Sequence, residues 1–190
     1  MPPIDAQLFR ETLLEEFRWA WQTLRERHPT EHFYCFGLYT TGAAEYVMAT
    51  AGTEEGLSIA VEKYLARDGG DPALTRLCLR WSFCDSPLHE EALNLLPRSH
   101  ALRDAVGDPY DEDAFELVFD TAVDVLKQLD SEKLFGTDLE RARLTLGIWM
   151  GDQSNENMIA FVRRLNPVSI VNRFAKELDE GYEACVQLSR

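Results

Sequence analysis

The stretch EHFYCFGLYTT, residues 31–41, is apolar on both of its alternating faces: Phe33, Cys35, Gly37 and Tyr39 on one, Tyr34, Phe36 and Leu38 on the other. A strand with one solvated face alternates apolar with polar, whereas a strand covered on both sides is apolar throughout. Residues 31–41 therefore read as a central strand with structure above and below it.

Outward from this strand the periodicity changes. Upstream, Leu13, Phe17, Ala20, Trp21 and Leu24 form one stripe of a helix running from residue 5 to about 28, which Pro29 stops. Downstream, Gly42 turns the chain into a second strand at 45–51, and so short a connection makes the two an antiparallel hairpin. Thr53 reads as the N-cap of a helix with Glu54 and Glu55 in its first turn and Leu57, Ala60, Val61, Tyr64 and Leu65 inward. After the loop RDGGDP at 67–72, residues 74–81 read as a third strand. Ser86-Pro87 opens a helix toward Leu96, and 98–105 is a separate helical piece beyond Pro97. Asp111 is expected to cap a long helix that buries Phe115, Val118, Phe119, Ala122, Val123, Leu126 and Leu129. A break at Phe135-Gly136-Thr137 precedes a fourth strand at 144–150, again apolar on both faces. Asp152 and Ser154 open a helix with Met158, Ile159, Val162 and Leu165 inward, and Asn166-Pro167 caps a last one carrying Val171, Phe174, Leu178 and Tyr182. This order predicts an α+β fold, a mostly antiparallel sheet of about four strands with helices packed on it, in a single globular domain over residues 1–190.

Composition narrows the function classes. The chain carries 33 Asp and Glu against 19 Lys and Arg, a formal charge of −14, so it lacks the basic face that releases counterions from nucleic acid. It is not a disordered acidic chain, because 10 Phe, 6 Tyr and 4 Trp supply a core. The N-terminus has neither the basic start nor the apolar run of a signal peptide, and no stretch approaches a membrane span of roughly 18 apolar residues. A soluble, cytoplasmic protein is expected. The four cysteines, Cys35, Cys78, Cys84 and Cys185, are scattered, without a Cys-x-x-Cys pair and too few for a disulfide framework. Cys35 and Cys78 lie in apolar runs and read as small hydrophobes in a reduced core.

Catalytic signatures are sparse. His28 and His32 have the i, i+4 spacing of a helical metal pair, but Pro29 stands between them and no nearby Cys or His completes a zinc site. His89-Glu90-Glu91 lacks the second His of a zincin. Gly69-Gly70 stands alone, without the patterns of dinucleotide folds, phosphate loops or nucleophile elbows, so no cofactor is expected. The densest reactive cluster is RWSFCDSPLH at 80–89, read as a strand-to-helix junction, where Cys84, Asp85 and His89 are candidates for a Cys–His nucleophile site. The same residues have a structural reading: capping by Asp85 or Ser86, and packing by Trp81 and Phe83.

The acidity has a focus. Asp113, Glu116, Asp120 and Asp124 recur at i, i+3 or i+4 on the helix after Asp111 and share one face. Such a row is commonly just a solvated face, yet like charges at this spacing cost about 0.2–0.5 kcal/mol per pair. A use that offsets the cost is electrostatic steering toward a basic protein.

Three strings, HFYCFGLYT in the first strand, RWS from Arg80, and GDQSNENMIAFVRRLNPVSIVNRF from Gly151, resemble the bacterial family of unknown function numbered 4303. The resemblance spans nearly the whole chain and implies no established activity or site residues. Small acidic bacterial α+β proteins of this kind are sometimes encoded beside toxin systems, which suits an immunity or binding role. The expectation is a non-enzymatic protein-binding module, toxin-immunity-like, that uses Asp113, Glu116, Asp120 and Asp124 on a basic partner, with neither metal nor membrane involved. The alternatives are an enzyme with a site at Cys84, Asp85 and His89, and a homo-oligomer whose aromatic surfaces are partly interface.

Overall fold

A computed structural model describes residues 5–105, 112–151 and 154–189. In chain order the elements are α1 (Ala6–Arg27), β1 (Phe33–Thr40), β2 (Met48–Thr53), α2 (Glu54–Asp68), α3 (Pro72–Leu79), a 3-10 turn at Phe83–Asp85, α4 (Pro87–Ala92), α5 (Pro97–Asp104), α6 (Glu112–Ser131), α7 (Asp138–Arg143), β3 (Thr145–Met150), α8 (Asn155–Leu165) and α9 (Val168–Leu188). The fold is α+β, as expected, but its sheet has three strands among the described residues, ordered β2-β1-β3. β1 pairs antiparallel with β2 and parallel with β3, so the sheet is mixed rather than mostly antiparallel.

β1 is central and covered on both sides. Phe36 and Leu38, with Ala49, Ala51, Leu146 and Ile148, face a core built by α1, α4 and α6. Cys35 and Trp149 face a second core built by α2, α3, α8 and α9. A register irregularity between Phe33 and Cys35 alters the simple alternation: Phe33 joins the first core and Tyr34 the second.

The expected third strand is α3. A short apolar run does not by itself distinguish strand from helix, and the preceding Asp-Pro decides it. Asp71 accepts hydrogen bonds from the Ala73 and Leu74 amides at 2.7 and 3.0 Å, and Pro72 begins the helix. α3 packs on α9, where Gly181 leaves room for the Leu77 carbonyl; a Cβ at Gly181 would lie 2.9 Å from that oxygen. Cys78 and Cys185 form a disulfide across this contact, so Cys78 is not the reduced core residue expected of it. The two cysteines are 107 residues apart, and only the helix pairing brings them together. Cys35 is buried, in line with its apolar setting.

Other N-termini follow their caps. Asp5 caps α1 through the Leu8 amide, and Thr53 caps α2 through Gly56. Ser86 precedes α4 but spends its hydroxyl on the Ala51 carbonyl at 3.2 Å. α5 has no cap of its own. Instead Glu16 of α1 accepts from the Arg98 amide and from both the amide and hydroxyl of Ser99 at 2.6–2.9 Å. The expected caps at Asp111 and Asp152 lie outside the described residues. Asn166, expected to cap α9, is turned inward: its amide accepts from Leu146 N–H at 3.0 Å and donates to the Leu146 and Val162 carbonyls at 2.7 and 2.8 Å.

At the sheet's centre Gly37 stands opposite Gly147, and the Trp149 indole lies across both. A Cβ on Gly37 would sit 2.0 Å from the Gly147 carbonyl oxygen and 2.7 Å from the Trp149 ring. A backbone oxygen cannot rotate away, so Gly37→Ala is expected to destabilise the fold by about 3 kcal/mol. A urea midpoint equal to that of the wild type would refute this packing.

His28, which ends α1, joins that helix to the turn before β1 and to α4: its two ring nitrogens lie 2.8 Å from a Glu31 oxygen and 2.7 Å from a Glu91 oxygen. Burial alone would lower the His28 pKa, but the hydrogen bonds and charges of Glu91 and Glu31 outweigh it and hold it above the usual 6.5. Burial would likewise raise the Glu91 pKa, and the hydrogen bonds and charges of Arg27 and His28 outweigh it, holding it below the usual 4.5. The histidine's contribution is complete below about 6.5 and is lost as pH rises through its raised folded-state pKa. The Glu91 contribution is present above about 4.5 and is lost as pH falls through its lowered value. The stability gap between wild type and His28→Gln, followed by urea unfolding, should therefore shrink between pH 6 and 8 (roughly the window set by a raised histidine pKa). A constant gap would count against the paired imidazolium.

Candidate functional site

Cys84, Asp85 and His89 lie in one corner, near the C-terminal end of β1. The segment leading into it is α3 and a 3-10 turn, so the junction is helix to helix rather than strand to helix. The corner brings the three residues close but gives each its own partner. The Tyr64 and Ser82 hydroxyls donate to Asp85, Tyr64 at 2.7 Å. His89 is buried on α4, shares a 2.8 Å hydrogen bond with the Thr50 hydroxyl, and sits edge-on to the Tyr39 ring at 4.6 Å. Burial lowers its pKa, so it is neutral at pH 7. Cys84 is exposed, with its sulfur 3.2 Å from the Tyr39 hydroxyl. Tyr39 thus contacts both Cys84 and His89, and no hydrogen bond joins those two among the described residues. Neither Tyr39 nor Thr50 carries a motif. Tyr39 was legible only as a strand residue, and Thr50 belongs to a strand whose register no pattern in the chain shows.

The histidines at the other end are held by carboxylates. His28 bridges Glu31 and Glu91, and His32 lies 2.6 Å from Glu55. Among the described residues no group of three or more His, Cys, Asp or Glu side chains is arranged to hold a metal ion.

The acidic row is on α6. Its inner face, including Val118, Ala122, Val125, Leu126 and Leu129, is buried. Asp113, Glu116, Asp120 and Asp124 are all exposed on the outer face. Asp120 pairs with Arg164 of α8 at 2.8 Å; among the described residues the other three have no ion-pair partner. Beside the row, half-buried Phe115 and Phe119 meet ring to ring at 6.3 Å, and Phe119 meets Phe161 of α8 at 5.2 Å. Carboxylates therefore border an aromatic seam between α6 and α8.

A mixed three-stranded sheet between two helical layers, with an acidic helix face on α6, defines a small α+β fold. The model of a domain of unknown function, DUF4303, matches residues 13–167, and the chain belongs to that family. No curated protein and no solved structure matches it. No helix among the described residues is long and apolar enough to cross a membrane.

Thiol chemistry tests the corner. Alkylation of the native, unreduced protein should modify Cys84 alone, because Cys35 is buried with its thiol pKa pushed well up by that burial, and Cys78 and Cys185 are bonded. Unfolding should add Cys35, and reduction the remaining two. Labelling of Cys78 or Cys185 without reductant would refute the disulfide. A Cys84 rate near pH 7 no faster than that of an unstructured thiol would argue against a nucleophile there.

Proposed function

We propose that the chain is a non-enzymatic protein-binding module that engages a basic partner through the outer face of α6, in the manner of a toxin-immunity protein. The observation that carries this reading is the exposure of Asp113, Glu116, Asp120 and Asp124 on one face, with three of the four lacking a cation among the described residues. Like charges one turn apart weaken a helix, and here the buried opposite face and its packing on α1 hold it. The uncompensated field is available for steering, which raises association rates most at low salt. The Phe115–Phe119–Phe161 seam adds what charge alone does not, since protein interfaces combine desolvated aromatic anchors with a polar rim. A nuclease is a natural class of partner, because a surface that holds a polyanion is already basic.

The enzyme reading has one observation in its favour, the exposed Cys84 beside a tyrosine hydroxyl. His89 is hydrogen-bonded to Thr50 and, among the described residues, not to Cys84, so this reading is the weaker.

The test is the variant Asp113→Asn, Glu116→Gln, Asp120→Asn, Asp124→Asn. Its thermal stability should match that of the wild type, because the one ion pair it removes is exposed. A basic protein captured by wild type from native extract at low salt, and released at high salt, should associate with the variant about tenfold or more slowly. Equal association rates for the two proteins would overturn the proposal.

A further inference from the structure

At the N-terminal ends of β1 and β3, opposite the Cys84 corner, a cleft of about 360 Å³ opens between the Pro29–His32 turn, the Leu134–Gly136 segment and the start of β3. We propose that it binds a small aromatic carboxylate. The volume falls within the range of small-molecule sites and suits one or two fused rings.

The floor is aromatic and chemically closed. Trp21 meets Phe33 at 5.1 Å and Phe135 at 5.3 Å, both edge-on. The Trp21 indole N–H already donates to the Leu134 carbonyl at 3.0 Å, so what this core ring, only 6 % exposed, turns to the cleft is an apolar edge. Such a floor favours a flat, apolar ligand body.

The walls supply the charge. The Arg25 guanidinium lies over the Trp21 and Phe33 rings, 5.9 and 5.5 Å from their centroids, and its nearest carboxylate, on exposed Glu140, is 3.9 Å away. Arg143 lines the same cleft, is exposed, and has no side-chain partner among the described residues. Arg18, Arg27, Arg80, Arg98, Arg141 and Arg164 all sit on carboxylates, whereas Arg143, like Arg163 of α8, does not; of those two, Arg143 is the one that lines the cleft. At the wall of this cleft the Arg143 guanidinium, with no ion pair among the described residues, is open to an incoming anion. The cleft's other carboxylate does not cancel it, because both Glu31 oxygens are taken, one by His28 and one by the Thr53 hydroxyl. A planar guanidinium matches a carboxylate in two parallel hydrogen bonds, and the floor then receives the attached ring.

Benzoate is the probe, titrated into the ¹⁵N-labelled full chain while the Trp21 indole N–H resonance is followed. A saturable shift of that signal is expected. Arg143→Gln should weaken binding at least tenfold with unchanged thermal stability, since the side chain it alters is exposed. Arg163→Gln, another exposed arginine, on α8, should leave binding unchanged. Benzamide, which keeps the shape without the charge, and inorganic phosphate, which keeps charge without the ring, should each bind more weakly than benzoate. No saturable shift, equal binding by Arg143→Gln, or phosphate binding as well as benzoate would each overturn the proposal. None of these outcomes bears on the acidic face of α6, which is read by partner association.

Discussion

The structure depends on the contact between two glycines. Gly37 and Gly147 face each other across the parallel β1–β3 pair, and the Trp149 indole lies over both. Adjacent strands run about 4.8 Å apart, and side chains here would stand between the ring and the sheet. With both removed, the largest fully buried side chain of the protein lies on the sheet and offers a broad apolar surface to Phe83, 4.7 Å away, and to the helices beyond. The arrangement has a cost. The Trp149 indole N–H has no hydrogen-bond partner among the described residues, as is also true of Trp81. An unmade hydrogen bond of this kind is worth about 1–3 kcal/mol, which the burial of two large rings can offset.

A three-stranded sheet is close to the minimum that holds together, and both of its outer strands carry backbone groups needing partners. Side chains supply them. The Asn166 amide pairs with both the N–H and carbonyl of Leu146, as a neighbouring strand would, and the Ser86 hydroxyl donates to Ala51 on the far edge. Inside the molecule, buried Arg103 donates to the Ala43 and Ala44 carbonyls of the β1–β2 connection, and buried Glu16 stands in for a missing cap on α5. Each of these is a polar group whose full set of bonds makes its burial tolerable.

What could be read from the chain was local. Apolar residues on both faces marked β1 as central, and Asp5, Thr53 and Pro29 marked where α1 and α2 begin or end, because caps and breakers act over three or four residues. What escaped was set by distance. Residues 74–81 carried an apolar run compatible with either period, and the Asp71-Pro72 start outweighed it. The parallel partner of β1 arrives more than a hundred residues later in the chain. The same separation hid the Cys78–Cys185 bond. A bond of that kind persists where the surroundings are oxidising, so it pulls against the reducing cytoplasm that composition suggested. Among site residues, the four carboxylates of α6 were legible because helical spacing alone sets their common face. The cleft was not: Trp21 looked like one more core position, and Arg143 like one more surface charge.

The net charge follows from how the arginines are used. Several of them work inside the fold: Arg80 ties Glu54 of α2 to Glu177 of α9, Arg141 ties Asp130 of α6 to the Leu144 and Leu165 carbonyls, and Arg173 holds the Ala142 and Arg143 carbonyls before β3. Cations committed in this way carry little field to the surface, because their partners neutralise them at contact distance. The surface field is therefore written by the acids that remain, and four of these, Glu112, Asp113, Glu116 and Asp124, are on α6. The Arg143 guanidinium at the cleft and the carboxylates without a base on α6 are both charges that no ion pair among the described residues commits to the fold. Each lies beside aromatic rings, Trp21 and Phe33 in one case, Phe115 and Phe119 in the other. Charge next to aromatic rings is the combination that gives both reach and grip, because the charge draws a ligand from a distance and the ring holds it once water has left.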